Sequence, residues 1–162
     1  EGAKLTVTDI DQDRVKQVVD EFGAEAVEPD AIYAVDADIF APCALGAIVN
    51  DDTIDVLNVD IVAGAANNQL ARGPIHGPAL DERGILYAPD YVINAGGLIN
   101  VYGEIEGWSP ERSKRKAGDI YNTLMRTFEL ATTEGLAPHA AANKVAETRI
   151  REARHLQRTY LS

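Results

Sequence analysis

Tyr87-Ala-Pro-Asp-Tyr-Val-Ile-Asn-Ala-Gly-Gly-Leu-Ile-Asn-Val101 is the stretch that decides how this chain folds. With Ile85 and Leu86 ahead of it, it starts as the apolar run that a buried strand needs, then breaks at Pro89 and passes through Asn94, Gly96 and Gly97. From Leu98 onward, Leu98, Ile99, Val101, Tyr102 and Ile105 recur at near-helical spacing and predict a helix. A strand that runs through a Gly-rich turn into a helix brings backbone N–H groups and a helix N-terminus up to a ligand. Taken alone, the stretch is equally well a tight loop between two core elements, since Gly marks turns of many kinds.

Two earlier stretches are built the same way: Phe40-Ala-Pro-Cys-Ala-Leu-Gly46 and Ala63-Gly-Ala-Ala-Asn-Asn68. In each an apolar strand runs into small residues, and Asn closes the second as it does the stretch at Asn94. Ligands of open parallel sheets bind outside the carboxyl ends of the strands. Small side chains there let an extended ligand lie against the backbone, and Asn offers both a donor and an acceptor, which suits a carboxamide or a sugar hydroxyl. Small residues also permit tight turns, but three such strand ends in succession favour a ligand site.

The rest of the chain alternates in the same sense. Residues 4–9 read as a strand and 11–22 as a helix, with Val15, Val18, Val19 and Phe22 on one face and Gly23 as its stop. A brief strand at 26–27, a turn at 28–30, strands at 38–43 and 59–64, and short helices at 51–57 and 78–83 follow. Strands alternating with helices predict an α/β fold, a parallel sheet with helices on its faces, over residues 1–107. Beyond Gly107 the pattern is helical. Ser109 is placed as an N-cap and Pro110 at the first helical position, with Ala117, Ile120, Tyr121, Leu124, Phe128 and Ala131 on one stripe. Pro138 opens a last helix whose basic end (Arg149, Arg151, Arg154, His155, Arg158) reads as a solvated face. Residues 108–162 are thus expected to be helices packed on the α/β part.

Composition narrows the function. A chain of 162 residues is the size of one domain, and 46% hydrophobic with 25% charged residues is that of a soluble globular protein. The net charge of −11 argues against nucleic-acid and anionic-membrane partners, which need clustered Lys and Arg. A single cysteine excludes an internal disulfide framework and fits a reducing compartment. No apolar run reaches the roughly 18–20 residues of a membrane span, and the first residues lack an apolar signal region, so a cytoplasmic location is expected. With no initiating Met and a strand already under way at residue 4, the chain is expected to be a piece of a longer protein.

Asp9 ends the first strand. In a dinucleotide-binding fold an acidic residue there accepts from ribose hydroxyls and favours NAD over NADP; otherwise Asp9 or Asp11 caps the next helix. The Gly-x-Gly-x-x-Gly turn that accompanies such an Asp, about 20 residues earlier, would lie before residue 1. Cys43 has no His near it in sequence and reads as packing. His76, His139 and His155 lack metal-ligand spacing, so no metal is expected. Trp108 reads as a packing anchor, and Glu104 and Glu106 as solvated.

Asp38-Ile-Phe-Ala-Pro-Cys-Ala-Leu-Gly46, Ala63-Gly-Ala-Ala-Asn-Asn-Gln-Leu70 and the opening stretch together resemble the NAD-binding domain of the amino-acid dehydrogenases that act on leucine, valine and phenylalanine, with glutamate dehydrogenase more distant. The resemblance implies a Rossmann-like doubly wound parallel sheet, truncated at its N-terminus, with a C-terminal helical extension. It implies that Asp9 holds the adenosine ribose of NAD, that Pro42 and Cys43 line the dinucleotide, and that Ala66, Asn67 and Asn94 lie near the nicotinamide half. Asn68 would touch both cofactor and substrate, and Leu98 and Val101 would shape an amino-acid pocket suited to a branched aliphatic side chain. The reaction implied is oxidative deamination of leucine or valine to a 2-oxo acid and ammonium. Its acid–base lysine and aspartate belong to an N-terminal domain, and none of Lys4, Lys16, Lys114, Lys116 or Lys144 stands in a matching motif. This chain is therefore expected to carry no catalytic residue, to be inactive alone, and to belong to a homo-oligomer at full length. The alternatives are a non-catalytic NAD-binding or regulatory domain and an aromatic amino-acid dehydrogenase. A 2-hydroxy-acid dehydrogenase would want a catalytic His after a late strand, where none of the three stands.

Overall fold

The structure, a computed structural model, describes residues 2–160 and the side chains of residues 2–154. The side chains of His155 and Arg158 lie outside the described residues. β1 (Thr6–Val7) leads to α1 (Gln12–Phe22). Asp11 caps α1, its carboxylate accepting from the N–H groups of Asp13 and Arg14, and Gly23 ends it at φ 67°, left-handed backbone that Gly adopts without penalty. β2 (Glu25–Ala26), a 3-10 turn (Pro29–Ala34), β3 (Asp36–Phe40), a second 3-10 turn (Ile54–Val56), β4 (Asn58–Val62), α2 (Gly73–Glu82) and β5 (Leu86–Tyr87) follow. The rest is helical: α3 (Asp90–Ile93), α4 (Gly96–Ile105), α5 (Pro110–Glu134) and α6 (Pro138–Tyr160).

Every strand pair is parallel. β1 pairs with β2, and β3, β4 and β5 pair in that order. In the doubly wound order 3-2-1-4-5-6, β2–β1 matches the flank 3-2 and β3–β4–β5 the flank 4-5-6. This is the Rossmann-like α/β arrangement expected, with its sheet in two hydrogen-bonded parts. At the start of β3 and β4 the register is pinned by Asn58, which sits opposite Asp36 and donates from Nδ2 to its Oδ1 at 3.0 Å.

The core lies against β4 and β5, where Val49, Ile54, Leu57, Val62, Leu80, Ile85 and Tyr87 form one buried cluster. Arg83, at the end of α2, donates to the carbonyls of Ile54 and Leu57 and fastens the 3-10 turn to the helix. α6 packs on α2, whose Gly73 and Gly77 leave room for the His139 ring; a Cβ on Gly73 would meet that ring at 2.5 Å. α5 packs across α3, α4 and α6. Ser109 caps α5 as expected, accepting from Arg112 N–H. Trp108 is indeed an anchor, edge-on to Tyr102 and covered by the Arg112 guanidinium at 4.4 Å.

Several boundaries differ from expectation, each for a local reason. The strand expected at 38–43 ends at Phe40, since Pro42 has no N–H for the ladder. Residues 51–57 form only a turn and the short 3-10 segment, because the Asn50 and Thr53 side chains capture the N–H groups of residues 50, 52 and 53. The helix expected from Pro78 starts at Gly73 and carries Pro78 inside it. Its first turn is held by His76, which is 2% exposed and accepts the Arg72 N–H on Nδ1 at 3.0 Å. Nδ1 therefore carries the lone pair, and Nε2–H donates to Asp51 Oδ1 at 3.1 Å. Phe22 is 62% exposed although Val15 is buried; among the described residues α1 packs chiefly on the short strand β2. Gly96 and Gly97 are not a left-handed turn: neither has positive φ, and both belong to the first turn of α4.

Two predictions follow from this packing. A Cβ on Gly64 would collide with the backbone N and O of Pro42, whereas one on Gly96 would meet nothing within 4 Å. Gly64→Ala should therefore destabilise by about 1–3 kcal/mol in thermal or urea unfolding, while Gly96→Ala leaves the midpoint unchanged or raised. The hydrogen bond from His76 and the Arg72 guanidinium hold the Asp51 carboxyl below its ordinary value. A depressed carboxyl stabilises above its unfolded pKa and loses that contribution as pH falls through its folded one. The stability gap between wild type and Asp51→Asn should accordingly be open at neutral pH and close at pH values below both; urea midpoints across that range would show it.

Candidate functional site

The carboxyl ends of β3, β4 and β5 lie on one side of the sheet because all three strands run parallel. The first two come very close together, with Gly64 seated against Pro42. Ala66 N–H donates to Pro42 O at 2.9 Å and Ala63 N–H to Phe40 O at 3.0 Å, so the two loops are laced beyond the last paired residues. Gly46 makes a second close approach, where a Cβ would lie 2.7 Å from Asn67 O. Ala47 N–H donates to Asn68 O at 2.6 Å. Asn68 itself sits at φ 52°, a left-handed conformation that Asn tolerates better than most residues.

The β5 end contributes through α3 and α4. Asn94 Nδ2 donates to Asn67 Oδ1 at 2.6 Å and lies 3.4 and 3.5 Å from the carbonyls of Ala65 and Ala66. Among the described residues, Asn94 Oδ1 and Asn67 Nδ2 have no hydrogen-bond partner, so the pair leaves one amide oxygen and one amide nitrogen free. That is the complement of a carboxamide. Beside it, the Cα atoms of Gly96 and Gly97 border open space. Asp90 fixes the approach: Oδ2 accepts Gln69 N–H at 3.2 Å and Oδ1 accepts Tyr91 N–H at 2.8 Å. Its charge adds to burial, the larger cause, in pushing the Tyr87 hydroxyl far up and that of Tyr91 up to about 12. Both hydroxyls stay neutral: that of Tyr87 accepts Asp90 N–H at 3.2 Å, and that of Tyr91 donates to Asn143 Oδ1 at 2.8 Å.

The structure brings Pro42, Ala66, Asn67, Asn68 and Asn94 into one connected group. Pro42 and Ala66 are buried and Cys43 is exposed, so the first two offer backbone and the third its side chain. Leu98 and Val101 stand one turn apart on α4, 75% and 54% exposed. Asp9 is not joined to this group. It follows β1, in the other part of the sheet, and its Oδ1 accepts Asp11 N–H at 2.9 Å. Since Asp11 is the cap of α1, Asp9 Oδ2 is left without a protein partner among the described residues.

Sequence reasoning gave no role to Gln69, Asp90 or the Asp51–Arg72–His76 cluster. The signal for Gln69 was a polar residue just past a buried strand; its 0% exposure depends on segments distant in sequence. A cavity of about 490 Å³ between α3, α4, α5 and α6 was also unforeseen. Val92, Ile99, Ile120, Val145 and Ile150 line it, and its Lys116 and Asp119 satisfy each other at 3.0 Å. It contains none of the residues grouped above. Among the described residues no cluster of three or more His, Cys, Asp or Glu could hold a metal ion, and no helix is long and apolar enough to cross a membrane.

Known proteins share this fold. The family model described as Glutamate/Leucine/Phenylalanine/Valine dehydrogenase matches residues 3–158. A leucine dehydrogenase from Thermoactinomyces intermedius is 53% identical over 161 residues, 99% of this chain and 44% of that protein. A valine dehydrogenase from Streptomyces coelicolor is 46% identical over 95% of this chain and 43% of its own length. The crystal structure of L-tryptophan dehydrogenase from Nostoc punctiforme superposes with a TM-score of 0.90 at 49% identity, over 94% of this chain and 46% of that one. The chain thus spans somewhat less than half the length of these relatives. By the extent of these matches, it belongs to the glutamate/leucine/phenylalanine/valine dehydrogenase family.

Proposed function

We propose that this chain is the cofactor-binding part of an NAD-dependent dehydrogenase that oxidatively deaminates a branched aliphatic L-amino acid, leucine or valine, to its 2-oxo acid and ammonium. The observation that carries the reading is the Asn67–Asn94 pair, with one free acceptor and one free donor at the strand ends beside the open Gly96–Gly97 surface. NAD, when bound, supplies the acceptor for the hydride that leaves the α-carbon. The chain's own residues bind and orient. Asn94 Oδ1 accepts from the amide nitrogen of a carboxamide while Asn67 Nδ2 donates to its oxygen, which fixes the face of the attached ring. Small residues at 63–66 and at 96–97 let the dinucleotide lie against backbone. Asp9, with a free carboxylate oxygen, accepts from ribose hydroxyls and repels a 2′-phosphate.

Asn68 reaches from the same loop toward the substrate, and Leu98 with Val101 offers an aliphatic surface to its side chain. In this reading residues 1–107 bind the dinucleotide and 108–162 are helices packed on them. The acid–base lysine and aspartate come from a further domain of the full-length protein, which is a cytoplasmic homo-oligomer. The relatives named for leucine, valine and tryptophan make side-chain size the open variable, and the test is built to resolve it.

The full-length protein should reduce NAD⁺, followed by NADH absorbance, with leucine or valine at a kcat/KM at least about tenfold above tryptophan, the scale that one pocket contact supports. Residues 1–162 alone should give no turnover. Turnover by that fragment, or preference for tryptophan, contradicts the respective part of the proposal. Asn94→Ala should weaken NAD binding about tenfold, as expected for a lost ligand hydrogen bond, with titration calorimetry as the check. Leu98→Ala should shift kcat/KM from leucine toward larger side chains by about tenfold.

A further inference from the structure

Gln69 is 0% exposed, among the most buried side chains in the molecule, and it is polar. Its Nε2 donates both hydrogens to its own loop, to Gly64 O at 2.7 Å and Ala66 O at 3.0 Å. Its Oε1 is buried with no partner among the described residues. An unsatisfied buried amide oxygen is destabilising, and a Met or Leu of similar size would avoid it. Burial therefore does not account for glutamine here; what the side chain adds is direction.

That direction falls on the loop that carries the amide pair. Gly64 O and Ala66 O, two residues apart, are drawn to one nitrogen, which folds the segment from Gly64 to Ala66 back on itself. Ala66 O also lies 3.5 Å from Asn94 Nδ2, so this carbonyl neighbours both Gln69 and Asn94. The Gln69 backbone is fixed independently: its N–H donates to Asp90 Oδ2 at 3.2 Å, and its carbonyl accepts Val49 N–H at 3.0 Å. One residue thus ties the end of β4 to Asp90 at the start of α3, four residues before Asn94.

We propose that Gln69 is a positioning residue. Through Gly64 O and Ala66 O it sets the orientation of Asn67 against Asn94, and hence the hold on the carboxamide end of the dinucleotide, without touching the ligand. The proposal rests on the cofactor reading above and adds a residue to it. It separates the two ends of the ligand, since Asp9 lies in the other part of the sheet and no hydrogen bond joins it to Gln69.

The test compares NAD⁺ with ADP-ribose, which lacks the nicotinamide, on the full-length protein by calorimetry. Gln69→Met keeps the volume and removes both donors. It should weaken NAD⁺ about tenfold, the loss expected when oriented polar contacts slip, and leave ADP-ribose affinity within about twofold of wild type. Gln69→Glu serves as the second variant: protonated, its carboxyl regains one donor, so NAD⁺ affinity should recover as pH falls while that of Gln69→Met does not. Equal weakening of both ligands, unchanged NAD⁺ affinity in folded Gln69→Met, or no recovery of Gln69→Glu with acid overturns the positioning role. A wild-type protein that binds neither ligand overturns the cofactor reading itself, and the proposal with it.

Discussion

The contact between Gly64 and Pro42 is the constraint on which the site depends. Two parallel strands normally diverge into independent loops beyond their last paired residues. Here the Gly64 backbone lies directly on Pro42, at a distance no Cβ permits, and Ala66 N–H reaches Pro42 O. The loops after β3 and β4 are thereby one surface rather than two. Pro42 contributes doubly: it ends the β3 ladder for want of an N–H, and its rigid ring fills the space that Gly64 leaves.

Polar groups then do what apolar packing cannot, which is to fix direction. Gln69, Asp90 and Asn94 each spend side-chain hydrogen bonds on backbone or on one another, and Asn67 and Asn94 are left with one free donor and one free acceptor between them. The buried part of this network, the two bonds from Gln69 Nε2, favours a single arrangement of the loop. Gln69 Oε1 has no partner among the described residues, and it sits in the residue whose other bonds shape the loop. Away from the site, Asp51, Arg72 and His76 hold the first turn of α2, and through the Val49–Leu70 bridge that turn is continuous with Gln69.

Much of this was legible in the residues. The alternation of apolar runs with helical stripes marked the parallel α/β fold, Gly23 and Ser109 marked helix ends, and three strand ends of small residues marked the segments that come together beyond the sheet. What misled was residue type without geometry. Gly96 and Gly97 read as a turn because Gly usually marks one; in the structure they have helical backbone, and what matters is the side chain they lack. Pro78 read as a helix start because Pro favours that place, but the helix starts five residues earlier at Gly73, where His76 Nδ1 accepts the Arg72 N–H. The roles of Gln69 and Asp90 depend on bonds to residues 5 and 21 positions away, which no local pattern encodes.

In the proposed function a dinucleotide lies across the ends of β3, β4 and β5. Cys43 is exposed there, two residues before the Leu45 loop tip and next to Pro42, and its thiol can report coverage. The direct measurement is the rate of Cys43 alkylation in the full-length protein, followed by mass spectrometry of its peptide as NAD is added. The rate should fall in a saturable way, with a midpoint equal to the NAD dissociation constant from calorimetry. A rate at Cys43 that is indifferent to saturating NAD would contradict the proposed function.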